Sequence, residues 1–282
     1  MALVFEPRRK GENARDYAYT VLRENIANLN LEPGCILNDV LIAAQLGVSR
    51  TPVREAINQL KGESEIIEVY PQRCIKVALI DTEIIQEVRL MRLLIEKDIL
   101  RRCCDTATEK DLLWMEENVA LQRFHYGRRD MEKALEKDNE LHRYFYSMTG
   151  CDYIYRSTRG PMIHYDRVRV LETFYDSFLD SIDDHEEIIE AIRDKDPEQA
   201  EKLITLHLGR WVSNEQKLRI AYPQYFRKEE TENEGSESNE AGPSSSIMAL
   251  SIARWSVAIM PTIAGAMTSL TFFTAWRTPL PQ

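Results

Sequence analysis

The chain has 282 residues and a formal net charge of −10, long enough for two domains with their own cores. Its five cysteines show no C-x-x-C pair, which argues against a zinc-ribbon or redox centre and fits a reduced, cytoplasmic setting. The acid is unevenly spread: residues 1–80 hold ten Lys/Arg against ten Asp/Glu, 81–228 hold 24 against 30, and 229–282 hold two against six, so a neutral N-terminal head can still track phosphates with locally clustered cations.

Met1 to Phe5 is too short for a secretory signal and is interrupted by Glu6. Residues 1–12 read as a flexible polar arm. Asp16 to Leu29 reads as a helix with Tyr17, Val21, Leu22, Ile26 and Leu29 on one side, ended by Glu32-Pro33-Gly34. Asp39 to Leu46 is a second, short helix with Val40, Ile42, Ala43 and Leu46 at helical spacing. Gly47 supplies a left-handed stop, and Ser49 is placed to cap a third helix whose inner face is Val53, Ala56, Ile57 and Leu60. Two short helices around a glycine can be a mere core corner, with Arg50 and Arg54 as solvated cations. They can also be a helix-turn-helix that presents Ser49, Arg50, Thr51 and Arg54 to a DNA major groove. The residues just after the third helix favour the second reading. Ile66 to Tyr70 and Ile75 to Val77 alternate as strands across Pro71-Gln72-Arg73-Cys74, a hairpin wing and the only part that reads as strand.

Residues 79–228 read as an all-helical domain. Thr82–Cys104 is a long helix with Ile84, Ile85, Val88, Met91, Leu94, Ile95 and Ile99 turned inward. It comes directly after the wing and is the natural lever between the two domains. A cap at Thr106–Asp111 opens a helix through Leu113, Met115, Val119 and Leu121. Asp130–Met148 forms another, ended by Thr149-Gly150. A fourth runs from Cys151 to about Tyr175, bent at Gly160-Pro161. A fifth spans Ser181–Arg193, and Asp196-Pro197 starts a sixth that reaches about Tyr222. Six such helices make an antiparallel bundle.

Three of the five histidines fall where that bundle can gather them. Asp138 and His142 are four apart on one helix face. His185 and His207 belong to the fifth and sixth helices. One carboxylate and three imidazoles suit zinc, nickel or manganese with positions left open. Spacing alone favours ordinary core or surface histidines over ligands. His125 and His164 fit no such pattern and are taken as ordinary residues. A metal-dependent enzyme using this site is the alternative function, but no general base accompanies it, and Glu140 projects away from Asp138 and His142.

Leu46 to Ala56, followed by Val69-Tyr70-Pro71-Gln72-Arg73, resembles the winged helix-turn-helix of the GntR family of bacterial transcription regulators. It is most similar to the FadR-like branch, which carries an FCD-type ligand-binding domain. The resemblance implies a mainly α protein, with a winged head over residues 13–78 and a six-helix effector domain over 79–228. It implies a minor-groove role for Arg73. Asp138-x-x-x-His142, His185 with Ile188-x-x-Ala191-Ile192, and His207-Leu208 match the family's four metal-ligand positions. Arg92-Leu93-Leu94-Ile95-Glu96 matches its R-x-x-L-E segment, which implies that Arg92 pairs an effector carboxylate; the alternative is a surface ion pair with Glu96. The function so implied is a homodimeric repressor of double-stranded operator DNA that answers to a small organic or sugar acid. Two departures stand out. Cys74 replaces the usual wing glycine, which predicts a distorted wing tip because cysteine tolerates positive φ poorly. Gly62-Glu63-Ser64-Glu65-Ile66 lacks the usual acidic-Gly-apolar linker.

From 229 to 246 the chain is acidic, then Gly/Ser/Pro-rich, and reads as a linker. Trp255 to Trp276 has no charge and lies between Arg254 and Arg277. Its length and its terminal tryptophans fit a membrane span, while Pro261, Gly265 and several Ser/Thr residues weaken that fit. Residues 229–282 are therefore expected to lie outside the fold, as a fused or out-of-frame C-terminus. A membrane-tethered regulator is the alternative.

Overall fold

The computed structural model describes residues 2–173 and 177–228. Residues 229–282, and with them the expected linker and the apolar run at 255–276, lie outside the described residues. Among the described residues no helix is long and apolar enough to cross a membrane.

Three helices and a small sheet form the head. Helix α1 is Ala14–Ala27, capped by the Asn13 side chain, which accepts from Arg15 N–H. It buries Val21, Leu22 and Ile26, each worth about 1.5–3 kcal/mol over leaving it exposed. Helix α2 is Asp39–Leu46; Asn38 caps it through Val40 and Leu41, and Gly47 ends it at φ 64°. Helix α3 is Arg50–Ser64, with Val53, Ala56, Ile57 and Leu60 buried and Ser49 at the cap position. The Ser49 hydroxyl makes no cap hydrogen bond, so it stays available. Strands β2 (Ile67–Tyr70) and β3 (Cys74–Val77) form the wing, antiparallel, with Tyr70 opposite Cys74.

The head departs from expectation in three places. A two-residue strand β1 (Ile36–Leu37) adds to β3, giving the order β1-β3-β2; two residues are too few to show an alternating pattern. The wing's left-handed residue is Gln72, at φ 58°, while Cys74 lies in the strand. The turn thus needs no glycine at 74. The arm is also not free over its whole length. Leu3 is buried, Leu3 N–H donates to Gln45 Oε1, and Val4 exchanges hydrogen bonds with the Asn25 amide.

Six helices form the bundle. They are α4 (Thr82–Thr106), α5 (Glu109–Gly127), α6 (Met131–Met148), α7 (Asp152–Glu172), α8 (Ser177–Arg193) and α9 (Pro197–Ala221). Thr108 and Asp111 form a capping box on α5. Asp196 caps α9, which has proline in its first turn. Helix α8 begins one turn earlier than expected. Pro161 is inside α7, which continues to Glu172. Leu94, expected inward, is 65% exposed, and Leu113 and Leu121 also lie on the surface. The inward positions go instead to Arg92 and Glu96 on α4 and to Asn118 and Gln122 on α5. Here the bundle interior is polar. After α9 the chain returns to the linker: Ile80 N–H donates to Tyr225 O at 2.7 Å and Arg227 N–H to Ile80 O at 2.8 Å.

Candidate metal centre and nucleic-acid interface

The head exposes every residue expected to meet DNA. Ser49, Arg50, Thr51 and Arg54 line the start of α3, and Arg73 tops the wing, all on the surface. One partner escaped the sequence reading. Asp39, at the start of α2, accepts from Arg50 Nη2 at 3.1 Å and from Arg54 Nε at 2.5 Å. One carboxylate thereby aims two guanidinium forks of the reading helix. Asp39 is first seen in the sequence only as the opening of α2, and 11 and 15 residues separate it from its partners. Tyr70 and Lys76 pack on the wing, with the ammonium 5.6 Å from the ring centre.

In the bundle, Asp138 and His142 from α6, His185 from α8 and His207 from α9 converge. One ligand atom from each lies within 4.8 Å of the others, and all four residues are buried. Donors around a common ion at about 2.0–2.1 Å lie no more than about 4.2 Å apart. The gathering therefore needs only a small closure to hold one.

The outer nitrogens decide how the rings face. His142 Nδ1 is 2.9 Å from Glu96 Oε2, His185 Nδ1 is 2.9 Å from Gln122 Oε1, and His207 Nδ1 is 3.3 Å from Asp184 Oδ2. All three partners are acceptors, so each Nδ1 carries a proton, and in the neutral rings of His142 and His185 Nε2 keeps its lone pair. His142 Nε2 and His185 Nε2 are buried without any hydrogen-bond partner; they lie 3.9 and 3.8 Å from the Asp138 carboxylate. Buried polar atoms normally find partners. Lone pairs aimed together at a carboxylate are what a divalent cation would satisfy, so the residues fit a metal.

Charge around the cluster is arranged to the same end. Burial, with Arg92 nearby, holds His142 down to about 4, and burial also drives His185 well below its ordinary value. Burial pushes the Glu96 carboxyl up, but Arg92 and His142 outweigh it and bring it to about 2. Burial likewise opposes ionisation of Asp138, and Arg169 with the histidines outweighs it. Arg169, which the sequence reading missed, donates to Asp138 Oδ2 and, at 2.7 Å, to Asn139. Arg92 is buried and pairs with Glu96 at 2.6 Å. The alternative expected for Arg92, an ion pair with Glu96, is thus present, but inside the bundle and not on its surface.

Two small cavities flank the cluster. Arg92 and Arg169 line both. The first also has Tyr146, Tyr155 and Arg159; the second has Glu172, His207, Arg210 and Asn214. Burial pushes the Glu172 carboxyl up to about 7, so near neutrality it can donate as well as accept. His125 and His164 stay away from the cluster. Glu140 is also turned aside, held by Lys137.

A winged reading head joined to a helical domain of this build defines a DNA-binding transcription regulator. The family model for bacterial regulatory proteins of the gntR family matches residues 15–77, and the FCD domain model matches residues 87–210. The chain belongs to the GntR family. It is 26% identical over 212 residues to the HTH-type transcriptional repressor RspR of Escherichia coli (strain K12), covering 75% of this chain and 92% of that repressor. It is 28% identical over 182 residues to the gluconate operon transcriptional repressor of Bacillus subtilis (strain 168), covering 62% of this chain and 74% of that protein. In fold it is similar to E. coli McbR/YncC, with TM-score 0.59 at 22% identity over 76% of this chain and 99% of that one. A GntR regulator from Rhodococcus sp. RHA1 gives TM-score 0.60 at 22% identity, over 74% and 98%. The family and the relatives are transcriptional regulators and not enzymes, which sets aside the metal-dependent enzyme.

Proposed function

We propose that this regulator is a cytoplasmic, homodimeric repressor that binds double-stranded operator DNA and releases or tightens its hold when a small organic or sugar acid enters the bundle. The observation that carries the sensing half is the pair of orphaned Nε2 lone pairs, on His142 and His185, that face Asp138 while Glu96 and Gln122 hold the opposite nitrogens. Asp138, His142, His185 and His207 would hold zinc, nickel or manganese. Such an ion, when bound, supplies an electrophilic point for a carboxylate.

The chain's own cations would do the rest. Arg92 and Arg169 border both cavities, and a guanidinium fork matches a carboxylate in two parallel hydrogen bonds. Glu172, Asn214 and Arg210 add donors and acceptors for a ligand bearing hydroxyls as well as acid. On the DNA side, Arg50 and Arg54 offer forks to guanine edges or phosphates, while Ser49 and Thr51 hydroxyls suit phosphates. Arg73 reaches toward the flanking minor groove from the wing. Two heads in a dimer would read half-sites about one helical turn apart. The names of RspR and of the gluconate operon protein, both repressors, favour repression over activation.

The test is elemental analysis of protein purified from its host, paired with calorimetric titration of nickel into chelated wild type and Asp138→Ala. One ion per chain and loss of binding in the variant support the reading; an equal affinity in both sinks it.

A further inference from the structure

Helix α7 meets the head over residues 160–167, and does so through polar contacts as well as packing. A Cβ on Gly160 would stand 3.0 Å from the carbonyl oxygen of Glu63, next to the end of α3. Ile163 is 1% exposed and belongs to the head's hydrophobic core, not the bundle's. His164 Nε2 donates to the carbonyl of Ser64, the last residue of α3. Arg167, fully buried, donates from Nη1 to Ala78 O at 2.6 Å and from Nη2 to His164 Nδ1 at 3.1 Å. Among the described residues no carboxylate pairs with Arg167. Burying an unpaired cation is costly and makes a poor stabiliser. What it does supply is register: one guanidinium fixes the linker at Ala78, and through His164 the end of the reading helix.

The same helix also faces the sensing site. Met162 and Tyr165 line the flanking cavities, and Arg169 grips Asp138. Positions 160 and 169 are about 14 Å apart along a helix, and 167 and 169 about 3 Å. A helix transmits a shift over that length as a rigid body.

We infer that α7, through Gly160, His164 and Arg167, is the element that carries occupation of the Asp138/His142/His185/His207 cluster to the reading helix, with His164 and Arg167 as positioning residues. The covalent route through α4, expected from the order of the chain, runs alongside it. This inference rests on the cluster being a metal site.

The experiment measures affinity of the full chain for a duplex it selects from random DNA, with and without nickel, in wild type, Gly160→Ala, His164→Gln, Arg167→Met and Arg167→Lys. Gly160→Ala is the conservative probe, because it adds one methyl group against the Glu63 carbonyl and leaves the buried His164 and Arg167 in place. Nickel should change wild-type DNA affinity about fivefold or more, within the usual range of coupling between sites. The change should fall below about twofold in Gly160→Ala, His164→Gln and Arg167→Met, and persist in Arg167→Lys, with nickel affinity held within about threefold. A merely structural role would weaken DNA binding equally with and without nickel. The inference is overturned if the variants keep the wild-type response, or if wild type binds nickel with no change in DNA affinity. Failure to bind nickel at all overturns the metal reading, and the transmission falls with it.

Discussion

Glu96 Oε2 and His142 Nδ1 lie 2.9 Å apart across the interface of α4 and α6. The contact ties Arg92 to a metal-type ligand, because the other oxygen of Glu96 binds Arg92 at 2.6 Å. Gln122 plays the same part for His185. Outer partners of this kind orient the ring and raise its basicity, and losing one costs roughly 10–100-fold in metal affinity. Gln122→Ala should therefore weaken nickel binding by about that factor with little change in DNA affinity of the metal-free protein. Calorimetry on the two proteins decides; equal affinities would remove Gln122 from the site.

The low proton affinity of His142 and His185 has a direct readout in metal binding. Both rings are already neutral at pH 7, so they have no proton to give up to an incoming ion. Nickel titrations in buffers of different ionisation enthalpy should show release of fewer than about one proton per ion. Release of two or more protons would mean that the rings start out charged.

Stability of the metal-free chain should fall on mild acidification. His164 stands at about 4 against an ordinary 6.5, because of burial and the neighbouring Arg167. The unfolded ring takes its proton near 6.5 and the folded ring only near 4, so added protons favour unfolding in that window. The stability is complete above about pH 6.5 and declines toward pH 4, by at most about 1.4 kcal/mol per pH unit for each such ring. Urea midpoints at pH 7 and pH 5 measure it. The decline should be shallower in His164→Gln, and an identical slope would show that His164 titrates normally.

On the DNA side, Asp39 holds Arg50 and Arg54 together. Arg54→Ala should cost about 1–3 kcal/mol on the operator and relax base preference. Asp39→Ala leaves both cations in place but unaimed. It should raise affinity for random DNA, narrow the operator-to-random ratio by about tenfold, and leave metal binding alone. Competition binding at fixed salt gives both ratios; an unchanged ratio in Asp39→Ala would show that the arginines need no aiming.

The wing offers a test of backbone strain. Gln72 occupies the left-handed region at φ 58° and Cys74 does not. A side chain there costs about 1–2 kcal/mol, part of which glycine returns in unfolded-chain entropy. Gln72→Gly should be neutral to stabilising by about 1 kcal/mol, whereas Cys74→Gly should destabilise by removing a strand side chain. Denaturation midpoints separate the two.

What the sequence disclosed depends on how each feature is encoded. Asp39–Leu46 and Gly47 are local signals, so the second helix and its stop are readable to the residue. The gathering of Asp138, His142, His185 and His207 is reached by one helical spacing plus a family pattern. Their supporting partners Glu96, Gln122 and Asp184 come from three helices, α4, α5 and α8, and no short pattern joins them. Leu94 misleads because apolarity alone assigns it inward, whereas the polar Arg92 and Glu96 take the interior beside the cluster. Strand β1 is invisible for its brevity. His164 reads as ordinary because its partner, Ser64 O, is 100 residues away.

Ile163 of α7 is part of the head's own core. The border drawn along the chain at residue 78 is therefore not the border in space. A chimera that transplants only residues 13–78 onto another effector domain leaves behind a buried side chain that the head was built around, and an isolated head has a vacancy where it stood. In this regulator the two domains are not interchangeable modules. Exchange of DNA specificity between relatives has to carry the matching stretch of α7 along, or be confined to the exposed face of α3 and the wing.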